Sequence, residues 1–221
     1  MKPRFSCATC ERCVCHTENS QDGPEGCPTR TMDTVLSHVA EAYRDPPVAE
    51  FARQASIQEF ECYLSLPEGR TPRNPRVEET VQFARKMGYR KLGIAFCAGL
   101  RQEAAILNEI LERRGFDVSS VCCQVGGMPK EMIGIAEEQK IAGPGRWETM
   151  CNPVAQAKLL NEAGSEFNIA VGLCVGHDAL FFKHAVAPTT VLIAKDRVFG
   201  HNPVAGLYLS RSYYRKLMRR E

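Results

Sequence analysis

Five of the eleven cysteines in this 221-residue chain fall within its first 27 residues, as Cys7, Cys10, Cys13, Cys15 and Cys27. Their neighbours are mostly polar, so the segment carries too little apolar surface to build a core, and metal ligation is what could replace one. The spacing Cys-x-x-Cys-x-x-Cys-x-Cys, followed by Cys27-Pro28, imitates iron–sulfur ferredoxin segments, in which three such cysteines are joined by a distant fourth before a proline. Zinc accepts four thiolates, or three with a histidine, at comparable spacings, and Cys15 and His16 supply spare ligands. The expected cofactor is one or two iron–sulfur clusters, with zinc as the alternative. An odd, unevenly clustered cysteine set, without an apolar stretch in residues 1–10 that could serve as the heart of a secretory signal, points to metal or thiol chemistry and a cytoplasmic setting rather than a disulfide framework.

The remaining composition is that of a globular protein, with 44% hydrophobic and 24% charged residues and a net charge of +2. So small a positive surplus argues against nucleic acid or an anionic membrane as the main partner. The longest apolar runs, near residues 92–96 and 169–175, fall far short of the roughly 20 residues a spanning helix needs. The expected partners are the metal or cluster and either a small-molecule substrate or an electron-transfer partner.

Along the chain, residues 1–31 read as the cysteine-rich metal-binding segment and 32–75 as a helical connector. Within the connector, a helix from Met32 is stopped by Pro46-Pro47, a second spans about 48–64, and residues 67–75 form a linker. A third helix, 77–87, ends at Gly88. From Lys91 the pattern becomes short apolar runs alternating with amphipathic helices: strands at 91–97, 118–125, 168–174 and 189–194, helices at 100–114, 153–163 and 178–185, and a helical tail at 203–220. Such alternation is the signature of right-handed crossovers in a parallel sheet. Residues 76–221 are therefore expected to form an α/β domain with a small four-stranded parallel sheet, in the flavodoxin-like order 2-1-3-4, flanked by helices.

In open parallel sheets ligands bind beyond the carboxyl ends of the strands, where strand order reverses. Cys97 and Cys174 end two strands that this order makes neighbours, Cys122 and Cys123 lie late in another, and Cys151 begins the helix leading into the third. Strand alternation puts Cys122 and Cys123 on opposite faces, so one of them packs in the core, and Cys123, nearer the strand's end, is the expected ligand. The predicted second metal site is Cys97, Cys123, Cys151 and Cys174. Cys97, Cys151 and Cys174 precede helices, whose amino termini favour thiolates for metal binding and for redox chemistry alike.

Several strings resemble the family known as domain of unknown function 1847: Cys7-Ala-Thr-Cys10, the run 84–89, the run 93–100, Cys151-Asn152-Pro153, the run 171–178, and Lys195-Asp196-Arg197 through His201-Asn202-Pro203. What the resemblance implies is a cysteine-rich, metal-binding protein of anaerobes, with no established reaction or substrate.

Polar residues gather near the proposed site. His177, directly after the third strand, is the candidate proton donor or outer-shell partner, and Lys195 and Arg197 are candidates to attract an anionic substrate. The loop 126–150 is long enough for a lid. No phosphate-cradling glycine pattern is present, so no nucleotide cofactor is indicated. Two functions remain open: an iron–sulfur or dithiol redox protein acting on a small substrate, and a non-catalytic metal-binding or metal-carrying protein.

Overall fold

The computed structural model describes residues 4–219. The chain divides into two compact units, Met1–Glu61 and Cys62–Glu221.

In the first unit, single 3-10 turns at Cys7–Thr9, Val14–His16 and Ser20–Asp22 carry the cysteine-rich segment, followed by helices α1 (Pro28–Thr31), α2 (Asp33–Ala42) and α3 (Pro46–Glu61). The proline doublet that was expected to stop one helix also starts the next. Proline lacks an N–H but has helical φ, which suits the first turn of a helix.

The second unit opens with an antiparallel hairpin, β1 (Tyr63–Leu66) and β2 (Gly69–Pro72), where the sequence predicts a helix end and a linker. Pro67 and Glu68 make the two-residue turn, and Gly69 follows it at φ 136°. Pro67 halts helical pairing, while the run Tyr63-Leu64-Ser65-Leu66 is equally compatible with an extended strand.

The remainder is the expected α/β fold. After α4 (Arg76–Lys86) come β3 (Lys91–Phe96), α5 (Arg101–Arg113), β4 (Asp117–Cys122), α6 (Pro153–Glu162), β5 (Phe167–Val171), α7 (His177–His184) and β6 (Thr189–Ile193). The four strands are parallel in the order β4-β3-β5-β6, which is 2-1-3-4 in strand sequence. The two central strands are the apolar ones. Leu92, Ile94 and Ala95 of β3 and all of β5 are buried, as a sheet covered on both faces requires. Right-handed crossovers place α5 on one face and the neighbouring pair α6 and α7 on the other. Ala104, Leu107 and Leu111 are buried from α5, Ala157 and Leu160 from α6, and Phe181 from α7.

Several segments are shorter than predicted, among them β5, which stops at Val171 and leaves Cys174 in the turn beyond the strand rather than at its end. β4 stops at Cys122, and the tail has only a short helix, α8 (Val204–Tyr208), and a 3-10 turn at Arg215–Met218. Arg220, the last residue of the predicted tail helix, lies outside the described residues.

The order reverses between β3 and β5, whose connections leave in opposite directions. Gly172, just past β5, has φ 63°, and a Cβ there would stand 2.7 Å from Leu100 Cδ2. The chain beyond β5 can close onto the turn that follows β3 only because this residue has no side chain.

Candidate metal centres

Four cysteines gather around the reversal point. Cys97 directly follows β3 and continues the sheet, its N–H donating to Val171 O at 3.1 Å. Cys123 directly follows β4, its N–H donating to Phe96 O at 2.8 Å. The amide of Ala98 donates to Cys123 Sγ at 3.3 Å, bringing the ends of the two strands together. Cys151 Sγ lies 3.8 Å from Cys123 Sγ. Cys174 stands in the turn between β5 and α7, where its carbonyl accepts from His177 N at 2.9 Å and Asp178 N at 3.1 Å.

Two cations complete the arrangement from the end of β6. Lys195 Nζ donates to Cys97 Sγ at 3.2 Å, and Arg197 Nη2 donates to Cys174 Sγ at 3.1 Å. Asp196, between them, is folded back: its carboxylate accepts from Val198 N and Phe199 N at 2.8 and 2.9 Å, and its amide donates to His201 Nδ1 at 3.1 Å. The clasp holds Lys195 and Arg197 toward the sulfurs.

Crowding dominates the electrostatics of the thiols. The neighbouring Cys123 thiol and burial push Cys97 up to about 12. Hydrogen bonding with Cys151, together with burial, pushes Cys123 up to about 11. The same Cys123 contact pulls Cys151 below the ordinary thiol value. Of the two, Cys151 is the more readily deprotonated. Sulfurs this close resist carrying several negative charges unless a cation joins them.

Among the described residues, no three His, Cys, Asp or Glu side chains close around a single point as a ready-made one-ion site. The Cys123–Cys151 separation does match the roughly 3.8 Å edge of a tetrahedron with 2.3 Å metal–sulfur bonds. The donor chemistry fits a thiophilic metal. Four thiols converge, two cations offset thiolate charge, and among the described residues neither a carboxylate nor an imidazole hydrogen-bonds to the four sulfurs.

The family described as "Protein of unknown function (DUF1847)" matches residues 27–192. The chain belongs to this family. It is also 37% identical over 214 residues to the uncharacterized protein MJ0455 of Methanocaldococcus jannaschii, covering 97% of this chain and 98% of that protein. The family match includes Cys97, Cys123, Cys151 and Cys174.

In this DUF1847 member, all five amino-terminal cysteines line one hollow of about 490 Å³ in the first unit. Cys13 has φ 40°, a left-handed conformation costing on the order of 1 kcal/mol for a residue with a side chain. The Cys13 amide donates to Cys10 Sγ at 3.4 Å, and the Cys10 amide to Cys7 O at 3.2 Å. Gly23 lies against Cys27, so that a Cβ there would stand 2.7 Å from its Sγ. Hydrogen bonds from Thr29, helped by Arg30, hold the Cys27 thiol below its ordinary value. His16 lies in an exposed 3-10 turn.

The other expected site residues separate clearly. Cys122 leaves the four-sulfur group and lines a distinct groove of about 560 Å³ with Ser119, Ser120 and Leu159. His177 begins α7 with Nδ1 buried and, among the described residues, without a hydrogen-bond partner, and its ring makes no hydrogen bond to any of the four sulfurs.

Loop 126–150 is closed at its base. Met150 N donates to Met128 O at 2.8 Å and Lys130 N to Glu148 O at 3.1 Å. The buried Lys140 ammonium is hydrogen-bonded to Glu131, to Glu137 Oε1 at 2.6 Å and to Arg146 O at 3.2 Å. The loop is thus a stapled projection that delivers Cys151 to Cys123.

Two further residues, with no expected role in the sequence, support the site. Asn152 caps α6 by accepting from Ala155 N at 3.0 Å, while its own N–H donates to Cys123 O at 2.6 Å. Gln156 is fully buried, and its Nε2 bridges Val121 O at 2.7 Å and Phe96 O at 3.2 Å, tying together the ends of β4 and β3 beneath the sulfurs. Asn before Pro is a readable capping signal. A glutamine on a helix's core face is readable only once that face is known.

Proposed function

We propose that this protein binds iron–sulfur clusters through thiolates, with one centre held by Cys97, Cys123, Cys151 and Cys174 and another by residues drawn from Cys7, Cys10, Cys13, Cys15 and Cys27. The observation that carries the reading is the meeting of four sequence-distant thiols at the reversal point of the sheet, two of them hydrogen-bonded by cations. Isolated cysteines pack as small hydrophobes and have no need of a lysine or arginine. The 3.8 Å between Cys123 and Cys151 suits two thiolates on one metal ion, whether an iron of a cluster or a zinc. All eleven cysteines are free thiols, which fits a reducing compartment such as the cytoplasm.

When bound, such a cluster supplies one-electron chemistry and a Lewis-acidic iron. The chain's own contribution is to hold the sulfurs, balance their charge with Lys195 and Arg197, and fix the ends of β3 and β4 through Gln156. Cys174 and Arg197 stand toward solvent, so the α/β centre is accessible from that side. This supports redox or sulfur chemistry on a small substrate over mere metal carriage, and His177, which makes no hydrogen bond to the four sulfurs, has no part in holding the centre.

The Cys123–Cys151 contact also supports a dithiol reading, in which these two sulfurs cycle between thiol and disulfide without metal. Metal and acid-labile sulfide analysis of protein purified without oxygen separates the readings. Iron with sulfide supports the cluster, zinc without sulfide supports a metal-carrying protein, and metal-free protein with a reversible disulfide supports the dithiol.

A further inference from the structure

The two cations at the α/β centre are incompletely used. Lys195 has three N–H donors and Arg197 five, yet among the described residues each side chain makes a single hydrogen bond, to one sulfur, and neither has a carboxylate partner. The acids nearest in sequence are engaged elsewhere. Asp196 accepts from Val198 and Phe199, and Asp178 accepts from Gly176 N and Ala179 N at 3.0 and 2.7 Å. Helix amino termini after Cys97, Cys151 and Cys174 add partial positive charge of the same sign.

The backbone at Gly99 approaches both Lys195 and Cys97, and a Cβ there would stand 3.4 Å from Lys195 Nζ and 3.9 Å from Cys97 Sγ. Arg197 is exposed, Cys174 is half-buried, and Val175 beside it is 92% exposed, so the Cys174 end opens to solvent while Lys195 lies deeper.

We propose that Lys195 and Arg197, with their unused N–H donors beside Cys97 and Cys174, form a subsite for a small anion with a sulfur donor atom, of the hydrosulfide or small-thiolate class. This deepens the cluster reading above by naming what approaches the α/β centre. Sulfur is the favoured donor for two reasons. Both cations already direct N–H groups at sulfur, and a thiolate-held metal prefers soft ligands. The unused donors then hold the incoming anion next to the centre.

The test begins with metal content, measured in wild type, Lys195→Gln and Arg197→Gln purified without oxygen. Loaded protein is then titrated with sodium sulfide while its visible spectrum is followed, with sodium sulfate as the control. The expected result is a saturable change in wild type, absent with sulfate, and shifted to about tenfold higher sulfide concentration in each variant, the loss expected for one charge-assisted hydrogen bond. No saturable change in loaded wild type, or the same midpoint in wild type and both variants, would overturn the subsite. Protein that takes up no metal refutes the cluster reading, and the subsite is then judged on the thiols themselves. Alkylation rates with anionic iodoacetate and neutral iodoacetamide are compared by mass spectrometry. A higher iodoacetate-to-iodoacetamide ratio at Cys97 and Cys174 than at Cys122, lost when Lys195 and Arg197 are both replaced by Gln, supports the subsite. Equal ratios overturn it.

Discussion

Cys151 Sγ lies 3.8 Å from Cys123 Sγ, although 28 positions separate the two residues. Closure of the intervening loop on itself and the bond from Asn152 N to Cys123 O impose this proximity. In metal-free protein, treatment with the two-electron oxidant diamide should therefore join these two sulfurs, with loss of two protons and two electrons to the diazene. Peptide mapping should find Cys123 linked to Cys151 in preference to any pair involving Cys62 or Cys122, and metal loading should protect the pair. A dominant linkage between other cysteines would contradict the geometry.

The staple inside the loop makes a separate prediction. The Lys140 side chain is 3% exposed and holds Glu131 and Glu137. Lys140→Met should leave those carboxylates without their cation and loosen residues 126–150. Limited proteolysis should then cut within this loop faster than in wild type, and Cys151 should react faster with a thiol reagent. Unchanged rates at both would show that the two base hydrogen bonds suffice to hold the loop.

Gln156 tests how the strand ends are fixed. Gln156→Leu keeps a side chain of similar size but makes it apolar and removes the bonds to Val121 O and Phe96 O. Phe96 O retains its bond from Cys123 N. The orphaned Oε1 of the wild type disappears as well, which offsets part of the cost. The expected destabilisation is about 1–2 kcal/mol, read as a lower urea midpoint at unchanged slope. No shift in midpoint would mean that the glutamine ties nothing together.

Glu166 gives a pH dependence with a definite sign. Its carboxylate accepts from Lys91 N at 2.8 Å and Arg90 N at 2.7 Å, and these two bonds hold it below the ordinary carboxylate value. A group whose pKa is lower folded than unfolded stabilises the fold above its unfolded pKa, and that contribution is lost as pH falls through the folded value. Wild type should therefore lose stability below about pH 4.3, the ordinary range for glutamate. Glu166→Gln should lose less over the same interval, as measured by urea midpoints from pH 7 to pH 3. Parallel curves for the two proteins would contradict this role.

Much of the fold is legible in the sequence because the central strands announce themselves. Residues 92–95 and 169–171 are short apolar runs separated by amphipathic helices, and right-handed crossovers then leave few strand orders. The convergence of Cys97 with Cys174 follows from that order. Preference for Cys123 over Cys122 follows from alternation, helped by β4 stopping one residue before Cys123. The hairpin at Tyr63–Leu66 and Gly69–Pro72 is not legible, because its four-residue strands are exposed throughout and so carry no burial pattern. Nor is the role of Lys140, whose partners are chosen by the folded path of the loop rather than by any periodicity. Lys195 and Arg197 are readable as cations near a strand end. Their individual pairing with Cys97 and Cys174 depends on the Asp196–His201 clasp, which spacing alone does not reveal.

The central claim, a thiolate-held cluster in the α/β unit, is tested most directly by iron and acid-labile sulfide counted per chain. Protein is purified without oxygen as wild type, Cys97→Ser, Cys174→Ser and, as the control, Cys122→Ser. The account predicts iron and sulfide in wild type and Cys122→Ser, with a matching fraction of both lost from Cys97→Ser and Cys174→Ser, while metal bound by the amino-terminal cysteines remains. Equal iron and sulfide in all four proteins, or none in wild type, would contradict it.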